Sequence, residues 1–181
     1  MLDEVQILTL AKAGDTNAFA EIINFYQKPI LRYLYRLTGD YEMSQDLAQD
    51  TFVQAFHGIT RLNTDLALKT WLYRIATNNA LQYLRRKKLF SIILFNHLRN
   101  SAISTGESTF DRTFESLAIK EALLKIPQNQ RACLVLHYIE GFQYREIART
   151  VGISEEAVRK RVARGLARLK DIFTSKGGNR T

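Results

Sequence analysis

Cysteine, proline and histidine are all scarce in this chain of 181 residues, and each scarcity excludes a class of structure. Cys133 is the single cysteine, so neither an internal disulfide nor a cysteine-rich zinc site can form. The only prolines are Pro29 and Pro127, and alternation of β-branched residues is rare, so we expect an all-α fold. The three histidines lie far apart without the spacing of metal ligands, and we predict neither a metal nor any other cofactor.

The chain also lacks a long hydrophobic run. Its most apolar stretch is LFSIILFNHL, residues 89–98, which is far shorter than the roughly 20 residues needed to cross a bilayer. No signal peptide is recognisable at the start, so we expect a cytoplasmic protein without membrane insertion. Residues 89–98 either form the end of a helix or are covered by a partner, and we favour the partner.

Acidic residues are in the minority, and the excess of basic residues is concentrated in one part of the chain. Residues 1–68 contain five Lys and Arg against nine Asp and Glu, a net charge of −4. Residues 69–181 contain 21 basic against nine acidic residues, a net charge of +12. This asymmetry indicates that the N-terminal part of the chain binds protein and that the C-terminal part binds nucleic acid.

The strongest motif lies near the end of the chain, where residues 143–170 contain two helical patterns separated by a tight turn. Ala148 is small where the two helices would touch, Gly152 suits a left-handed turn, and Val158 falls at a core position. Ser154 is placed to cap the second helix. From 157 to 170 this helix carries no acidic residue and six basic ones, which are Arg159, Lys160, Arg161, Arg164, Arg168 and Lys170. The spacing is typical of a helix-turn-helix whose second helix binds in the major groove of DNA.

Four helices are predicted before residue 90. The first covers about 3–13, and a second, capped by Asp15, extends to about residue 37. Pro29 should bend or break this second helix near Gln27.

The third and fourth helices differ in character. The third is predicted over 45–57, with Ser44 as its N-cap and with Phe52 and Phe56 among its buried residues. The fourth covers about 69–88 and combines aromatic residues with a basic end, which are the two features that single-stranded DNA binding requires. Trp71 in this helix is more often a core residue than a stacking platform.

A polar stretch rich in Ser and Thr, residues 99–111, is typical of a linker. We therefore predict a first module over 1–90, a linker over 91–112, a second module over 113–175 and a disordered tail over 176–181. The second module begins with helices at about 114–125 and 128–140, which Pro127 separates.

Four stretches carry a family resemblance: SQDLAQDTFVQAF (44–56), KTWLYRIATNNALQYLRRKK (69–88), KIPQNQRACLVLHYIEGFQYREIA (125–148) and VGISEEAVRKRVARGLARL (151–169). Their order and spacing resemble the bacterial RNA polymerase sigma factors, specifically the extracytoplasmic-function group of the sigma-70 family. The resemblance implies a non-enzymatic subunit with two helical domains, called regions 2 and 4. Such a subunit directs core RNA polymerase to the −10 and −35 promoter elements and promotes strand opening.

The resemblance also implies roles for residues of the first module. The helix at 44–56 would dock on the clamp helices of the polymerase β′ subunit through Asp46, Gln49, Asp50 and Thr51. The loop at 61–66 and the fourth helix would bind the −10 element, with an extruded base held near Asn78. The candidates for −10 binding are Arg61, Leu62, Asn63, Tyr73, Arg74, Asn78, Arg85 and Arg86.

For the −35 element, the resemblance implies contacts along the second helix of the helix-turn-helix. The candidates are Ser154, Arg159, Lys160, Arg161, Ala163, Arg164 and Arg168. Arg159 can donate two hydrogen bonds to guanine and so distinguish sequences, whereas Arg161 and Arg168 are expected to hold phosphates. The chain departs from the common family pattern at Gln82, where many relatives have an acidic residue, and at Ala157 and Lys160, where hydroxyl residues are common.

The partners implied are core RNA polymerase, through its β′ and β subunits, promoter DNA and an anti-sigma factor, for which residues 89–98 are a candidate contact. The residues alone leave two other functions open. A plain helix-turn-helix regulator would bind an operator without polymerase. A nuclease would need a cluster of carboxylates or histidines. Asp46 and Asp50 lie one turn apart, but we find no third ligand gathered with them.

Overall fold

The computed structural model describes residues 4–62, 67–97 and 117–177, with the backbone alone for 92–97, 117, 176 and 177. Within these ranges the chain forms α helices and one short 3₁₀ helix, Ile59–Arg61, which confirms the all-α prediction. The helices are α1 (Glu4–Lys12), α2 (Thr16–Thr38), α3 (Tyr41–Gly58), α4 (Leu68–His97), α5 (Leu117–Lys125), α6 (Gln128–Tyr138), α7 (Tyr144–Val151) and α8 (Glu155–Gly177).

Helix α2 begins as predicted but is not broken by its proline. The Asp15 carboxylate accepts hydrogen bonds from the backbone N–H groups of Asn17 (2.8 Å) and Ala18 (3.2 Å), so it is the N-cap. Of the predicted bend or break near Gln27, the break is wrong, because the helix runs through Pro29 without interruption. Proline leaves the carbonyl of Phe25 without its helical donor, but Phe25 is 72% exposed and water can satisfy that carbonyl.

Helix α3 begins four residues earlier than predicted. Its N-cap is Asp40, whose carboxylate accepts from the N–H of Met43 (3.1 Å), rather than Ser44. Ser44 is buried inside the helix, where its hydroxyl donates to the carbonyl of Asp40 (2.5 Å). Phe56 was expected in the core but is 47% exposed, and it meets the ring of Phe19 edge-on with ring centroids 5.1 Å apart.

The core of the first module lies where α2, α3 and α4 meet. Tyr33 on α2 is fully buried, lies 5.0 Å from the ring of Tyr73 on α4, and shares a 2.7 Å hydrogen bond with the hydroxyl of Thr77. Trp71 is half-buried and packs against this core beside Gly58, in agreement with its interpretation as a core residue.

Helix α4 is longer than predicted at its C-terminal end. It continues to His97, nine residues beyond the expected end at 88, so the backbone at 89–97 is helical. Leu89 and Phe90 are exposed on it, at 61% and 64%. The hypothesis that a partner covers 89–98 concerns side chains that, after Ser91, lie outside the described residues. The predicted linker lies outside them from residue 98 onwards.

The second module is built on α6, whose residues from Ala132 to Leu136 are almost completely buried. Helix α6 ends at Tyr138, two residues earlier than predicted, and a turn leads to α7. Gly152 adopts φ +69° between α7 and α8, and the Ser154 hydroxyl accepts from the N–H of Ala157 (3.2 Å), as predicted. Val158 is fully buried against α6 and α7, so the two helices form a helix-turn-helix.

The two modules are in direct contact with each other. Helix α4 of the first module packs against α7 and α6, and α2 packs against α5 and α6. The predicted organisation treated the modules as separate bodies, so their contact was not anticipated.

Candidate nucleic-acid interface

The basic surface of α8 begins with two cations that are already paired along the helix. Arg159 donates to the Glu155 carboxylate at 2.9 Å, and Lys160 lies 2.6 Å from the Glu156 carboxylate. Both pairs have the i, i+4 spacing that brings side chains together on a helix. The Arg159 guanidinium also lies 5.7 Å from the centre of the Tyr144 ring on α7. Arg159 is therefore oriented from two sides while about two thirds of its side chain stays exposed.

Most of the predicted −35 candidates lie on the exposed side of α8. Lys160, Ala163, Arg164 and Arg168 are all exposed, and with Arg159 they form a continuous basic surface. Ser154 is exposed at the start of the helix, where its hydroxyl serves as the cap.

Arg161 is the exception on α8, because it turns towards the core of the module. It is partly buried, and its guanidinium lies near the thiol of Cys133 on α6. Burial raises the pKa of the Cys133 thiol, and Arg161 opposes part of that rise. In this conformation Arg161 is therefore placed to stabilise the α6–α8 contact rather than to meet a phosphate.

The −10 candidates on α4 divide into an exposed face and a buried residue. Arg74, Asn78, Arg85 and Arg86 are exposed. Tyr73 is only 1% exposed, and its hydroxyl donates to the Glu140 carboxylate at 2.5 Å. Burial, together with the nearby Glu140 charge, raises the pKa of Tyr73 far above that of a free phenol. Tyr73 is thus covered by the second module in this structure.

The loop before α4 is described only at its two ends. Arg61 is exposed, whereas the Leu62 side chain is buried and its carbonyl accepts from Lys12 Nζ (2.8 Å). Asn63 and the rest of the predicted base pocket, to residue 66, lie outside the described residues.

The four candidates on α3 do not share one face. Asp46, Gln49 and Asp50 are exposed, but Gln49 lines a groove between α2 and α3, whereas Asp50 lines a groove between α3 and α4. Thr51 is fully buried, donates to the carbonyl of Leu47 (2.7 Å) and accepts from the amide of Asn79 (3.4 Å). A partner that approaches α3 from outside would meet the first three residues but not Thr51.

The groove between α2 and α3 is an open apolar concavity with a volume of about 860 Å³. Exposed apolar side chains form its rim, including Val53 at 49% and Phe56. Residue-by-residue interpretation missed this groove because Phe52 and Phe56 were both assigned to the core. Besides its core-facing residues, α2 has a second row of side chains at a spacing of four, which are Ile23, Gln27 and Leu31. This row would have indicated the groove.

The described ranges contain no cluster of three His, Cys, Asp or Glu side chains that could hold a metal ion. Across the same ranges, every helix is too short or too polar to cross a membrane.

Two family models match the chain, and they match its two modules. The model of sigma-70 region 2 covers residues 22–90, which include most of α2 and all of α3. The model of sigma-70 region 4 covers residues 116–169, which extend from α5 into α8.

Relatives match over nearly the whole chain. YlaC, an RNA polymerase sigma factor of Bacillus subtilis, is 32% identical over 161 residues, which are 87% of this chain and 93% of the relative. The extracytoplasmic-function (ECF) sigma factor SigM of Mycobacterium tuberculosis is 31% identical over 174 residues, 94% of this chain and 84% of the relative. SigW of Bacillus subtilis, also named an ECF sigma factor, is 28% identical over 170 residues, with 88% and 90% covered.

Solved structures show the same fold at low identity. CnrH in complex with the cytosolic domain of CnrY matches with a TM-score of 0.71 and 22% identity, covering 96% of this chain and 97% of that one. The sigma factor RpoE bound to the anti-sigma factor NepR from Bartonella quintana matches with a TM-score of 0.70 and 20% identity, covering 86% and 96%.

An all-helical pair of modules, one of them a helix-turn-helix with an exposed basic helix, defines a class of DNA-binding transcription proteins. Within that class, the chain belongs to the sigma-70 family of RNA polymerase sigma factors, in the ECF group. It is a transcription initiation factor rather than an enzyme, so neither a simple operator-binding regulator nor a nuclease describes it.

Proposed function

We propose that this sigma factor recognises the −35 element with the exposed face of α8. The main support for this proposal is the orientation of Arg159. The hydrogen bond to Glu155 and the Tyr144 ring restrict its rotamers, so less conformational freedom is lost when Arg159 meets a base. A guanidinium that donates two hydrogen bonds to guanine contributes about 1–3 kcal/mol of discrimination. Lys160, Arg164 and Arg168 supply the surrounding positive charge, while Arg161 is assigned to the core of the module.

The −10 element, in this proposal, is bound along the exposed face of α4. Arg74, Asn78 and Arg85 recur at close to whole helical turns, so a single strand can follow them. Arg61 precedes α4 in the chain, is exposed beside the anchored backbone of Leu62, and is assigned to the same interaction. Arg86 is on the neighbouring side, in the α3–α4 groove with Asp50. Tyr73 would add a stacking surface once it is uncovered.

Docking to core polymerase is assigned to α3 and the groove beside it. Gln49, Phe56 and Val53 combine polar and apolar groups on one accessible surface, which fits an amphipathic helix of a partner. A helical segment of the β′ subunit is the occupant that we propose. Contact with the β subunit, through the second module, belongs to the same proposal.

An anti-sigma factor in the same cytoplasmic compartment is the proposed regulator. In support, the structural neighbours RpoE and CnrH were solved in complex with NepR, an anti-sigma factor, and with a cytosolic domain of CnrY. Exposed Leu89 and Phe90 begin the apolar segment that we assign to this contact.

Run-off transcription with core polymerase on a random promoter library tests the function directly. We expect the chain to select a −35 and −10 pair and to start transcripts at a fixed distance from it. Replacing Gln49 with Lys should weaken polymerase binding, whereas Glu42→Lys, an exposed change in the first turn of α3, should not. Transcription that starts at the same sites with and without the chain would refute the proposal.

A further inference from the structure

Three side chains, one each from α6, α7 and α8, lie in a row that ends at Arg159. The His137 ring, in the last turn of α6, lies 4.5 Å from the Tyr144 ring at the start of α7, with the two planes inclined by 35°. The Tyr144 ring centre lies 5.7 Å from the Arg159 guanidinium. These separations are within the ranges of aromatic stacking and of a cation–π contact. Arg159 is therefore connected to α6 through one aromatic ring.

A hydrogen bond determines the orientation of the His137 ring. Its Nδ1 atom lies 3.0 Å from the carbonyl oxygen of Phe142. Because a carbonyl only accepts, Nδ1 carries the hydrogen and donates it. The Tyr138 ring lies 4.8 Å from the same imidazole, and His137 is partly buried. The Tyr144 ring thus rests against an imidazole that is itself held in place.

The backbone from which Tyr144 projects is also tied to the end of α6. The Phe142 N–H donates to the carbonyl of Leu136 (2.9 Å), and the Phe142 carbonyl accepts from His137. The next N–H, that of Gln143, donates to the Glu146 carboxylate (2.7 Å) at the start of α7. His137 therefore contacts both the Tyr144 ring and the backbone that leads to it.

Arg159 has only one other support in this row of contacts, and it is a weak one. Its hydrogen bond to Glu155 comes from the same exposed surface of α8, and exposed pairs with i, i+4 spacing contribute little. Tyr144 belongs to another helix, so it holds the guanidinium relative to the body of the module. A long, flexible side chain that is held in this way loses less conformational freedom when it binds.

We propose that His137 is a positioning residue for Arg159, that it acts through Tyr144, and that it thereby sets how strongly the chain discriminates between −35 sequences. The effect on discrimination rests on the proposed function of α8, whereas the positioning of Arg159 does not. All three residues belong to the second module. His137 acts from α6 and is not assigned to DNA itself.

Nuclear magnetic resonance of the Arg159 side-chain Nε–H group in the full chain tests the positioning without DNA or polymerase. In His137→Ala the order parameter of this group should fall by about 0.2, which is most of the interval between rigid and flexible groups. His137→Phe keeps a ring beside Tyr144 and should stay close to wild type. His57→Ala is the matched control, because it removes an imidazole that contacts Phe56 (5.8 Å) on α3 and should leave Arg159 unchanged.

Promoter binding by the holoenzyme tests the effect on discrimination, measured as the ratio of affinities for a preferred and a substituted −35 element. Arg159→Ala should lower this ratio roughly fivefold or more, because a base-specific pair is lost. His137→Ala should lower it about two- to fivefold, the range of an exposed cation–π contact. The salt slope should not change, since no phosphate contact is lost. A purely structural role would instead weaken both DNA sequences alike and leave the ratio unchanged.

A double variant tests whether His137 acts through Tyr144. The ratio in His137→Ala/Tyr144→Leu should be no lower than in Tyr144→Leu alone, because the ring that transmits the effect is already absent. Fully additive losses would show that His137 does not act through Tyr144.

An Arg159 order parameter that is the same in His137→Ala and in wild type would overturn the positioning. If the order parameter falls and Arg159→Ala loses discrimination while His137→Ala keeps it, the link from positioning to specificity is wrong. If Arg159→Ala itself keeps full discrimination, the proposed −35 role of Arg159 has failed, and the order parameter alone decides on the positioning.

A further variant applies if His137→Ala does not fold by circular dichroism. His137→Asn keeps a donor for the Phe142 carbonyl but removes the ring beside Tyr144. The Arg159 order parameter should then fall as expected for alanine, and an unchanged value in a folded His137→Asn chain would refute the proposal.

Discussion

At the scale of single residues, the position of a residue on a predicted helix did not determine whether its side chain is exposed and able to contact another molecule. Tyr73, Thr51 and Arg161 were all chosen for contacts with other molecules, yet each is turned into the protein. Each lies next to a chosen residue that is exposed, Arg74, Asp50 and Lys160 respectively. Successive residues of a helix are rotated by about 100° about its axis, so an exposed residue and a buried one can be neighbours in the chain. The sequence alone does not show which of the two is buried.

The predicted division between base and phosphate contacts can be tested by comparing two arginines. Arg159→Ala should reduce discrimination between the preferred and a substituted −35 element by about 1–3 kcal/mol, because a base-specific pair is lost. Arg168→Ala should weaken all sequences alike and reduce the salt slope of log K by about 0.9. Binding isotherms at several salt concentrations measure both, and lost discrimination in Arg168→Ala alone would reverse the assignment.

At the scale of helices and turns, the sequence predicted caps and turns correctly where these depend on residues close together in the chain. Asp15, Gly152 and Ser154 were placed correctly, because a cap or a left-handed turn depends on residues within one turn of the chain. Ser44 was misassigned because Asp40 offered a competing cap four residues earlier, and burial of Ser44 favours the longer helix. Pro29 does not end α2, and residues on both sides of it, Tyr26 and Ile30, are buried in the core.

Replacing each of two glycines in the second module with alanine should change the free energy of unfolding in opposite directions. Gly152 has φ +69°, so Gly152→Ala forces a left-handed residue and should destabilise the chain by about 1–2 kcal/mol. Gly165 lies inside α8, where an added Cβ would meet its nearest atom at 3.5 Å, an ordinary contact. Gly165→Ala should therefore stabilise the chain by about 0.5–1 kcal/mol. Urea unfolding of both variants provides the comparison, and shifts of the same sign would contradict it.

At the scale of the whole molecule, three buried tyrosines make the free energy of unfolding depend on pH in the alkaline range. Burial raises the pKa of Tyr33, Tyr73 and Tyr26 well above the phenol value of about 10, with Glu4 adding to the effect at Tyr26. Above pH 10 the unfolded chain loses these protons while the folded chain keeps them. Stability should therefore fall as pH rises, by about 1.4 kcal/mol per pH unit for each tyrosine.

One buried cation opposes that trend. Burial lowers the pKa of Arg131 to about 10, so above this pH the folded state releases a proton that the unfolded state retains. The net expectation is a fall in stability above pH 10 with a slope set by about two protons. Tyr33→Phe should reduce that slope by about 1.4 kcal/mol per pH unit. Thermal unfolding between pH 9 and 11 tests this, and an unchanged slope in Tyr33→Phe would show that Tyr33 is not the source.

The sequence by itself determined the helical class, the helix-turn-helix with its cap and turn, the basic face of α8, and the family to which the chain belongs. All of these depend on periodicity and on residues close together in the chain. Only the tertiary structure decided that Glu140 meets Arg36, Lys69 and Tyr73, and that Arg131 reaches Leu37. The physical reason is that these partners are separated by 67 to 104 positions. No local pattern encodes which distant surfaces bury one another.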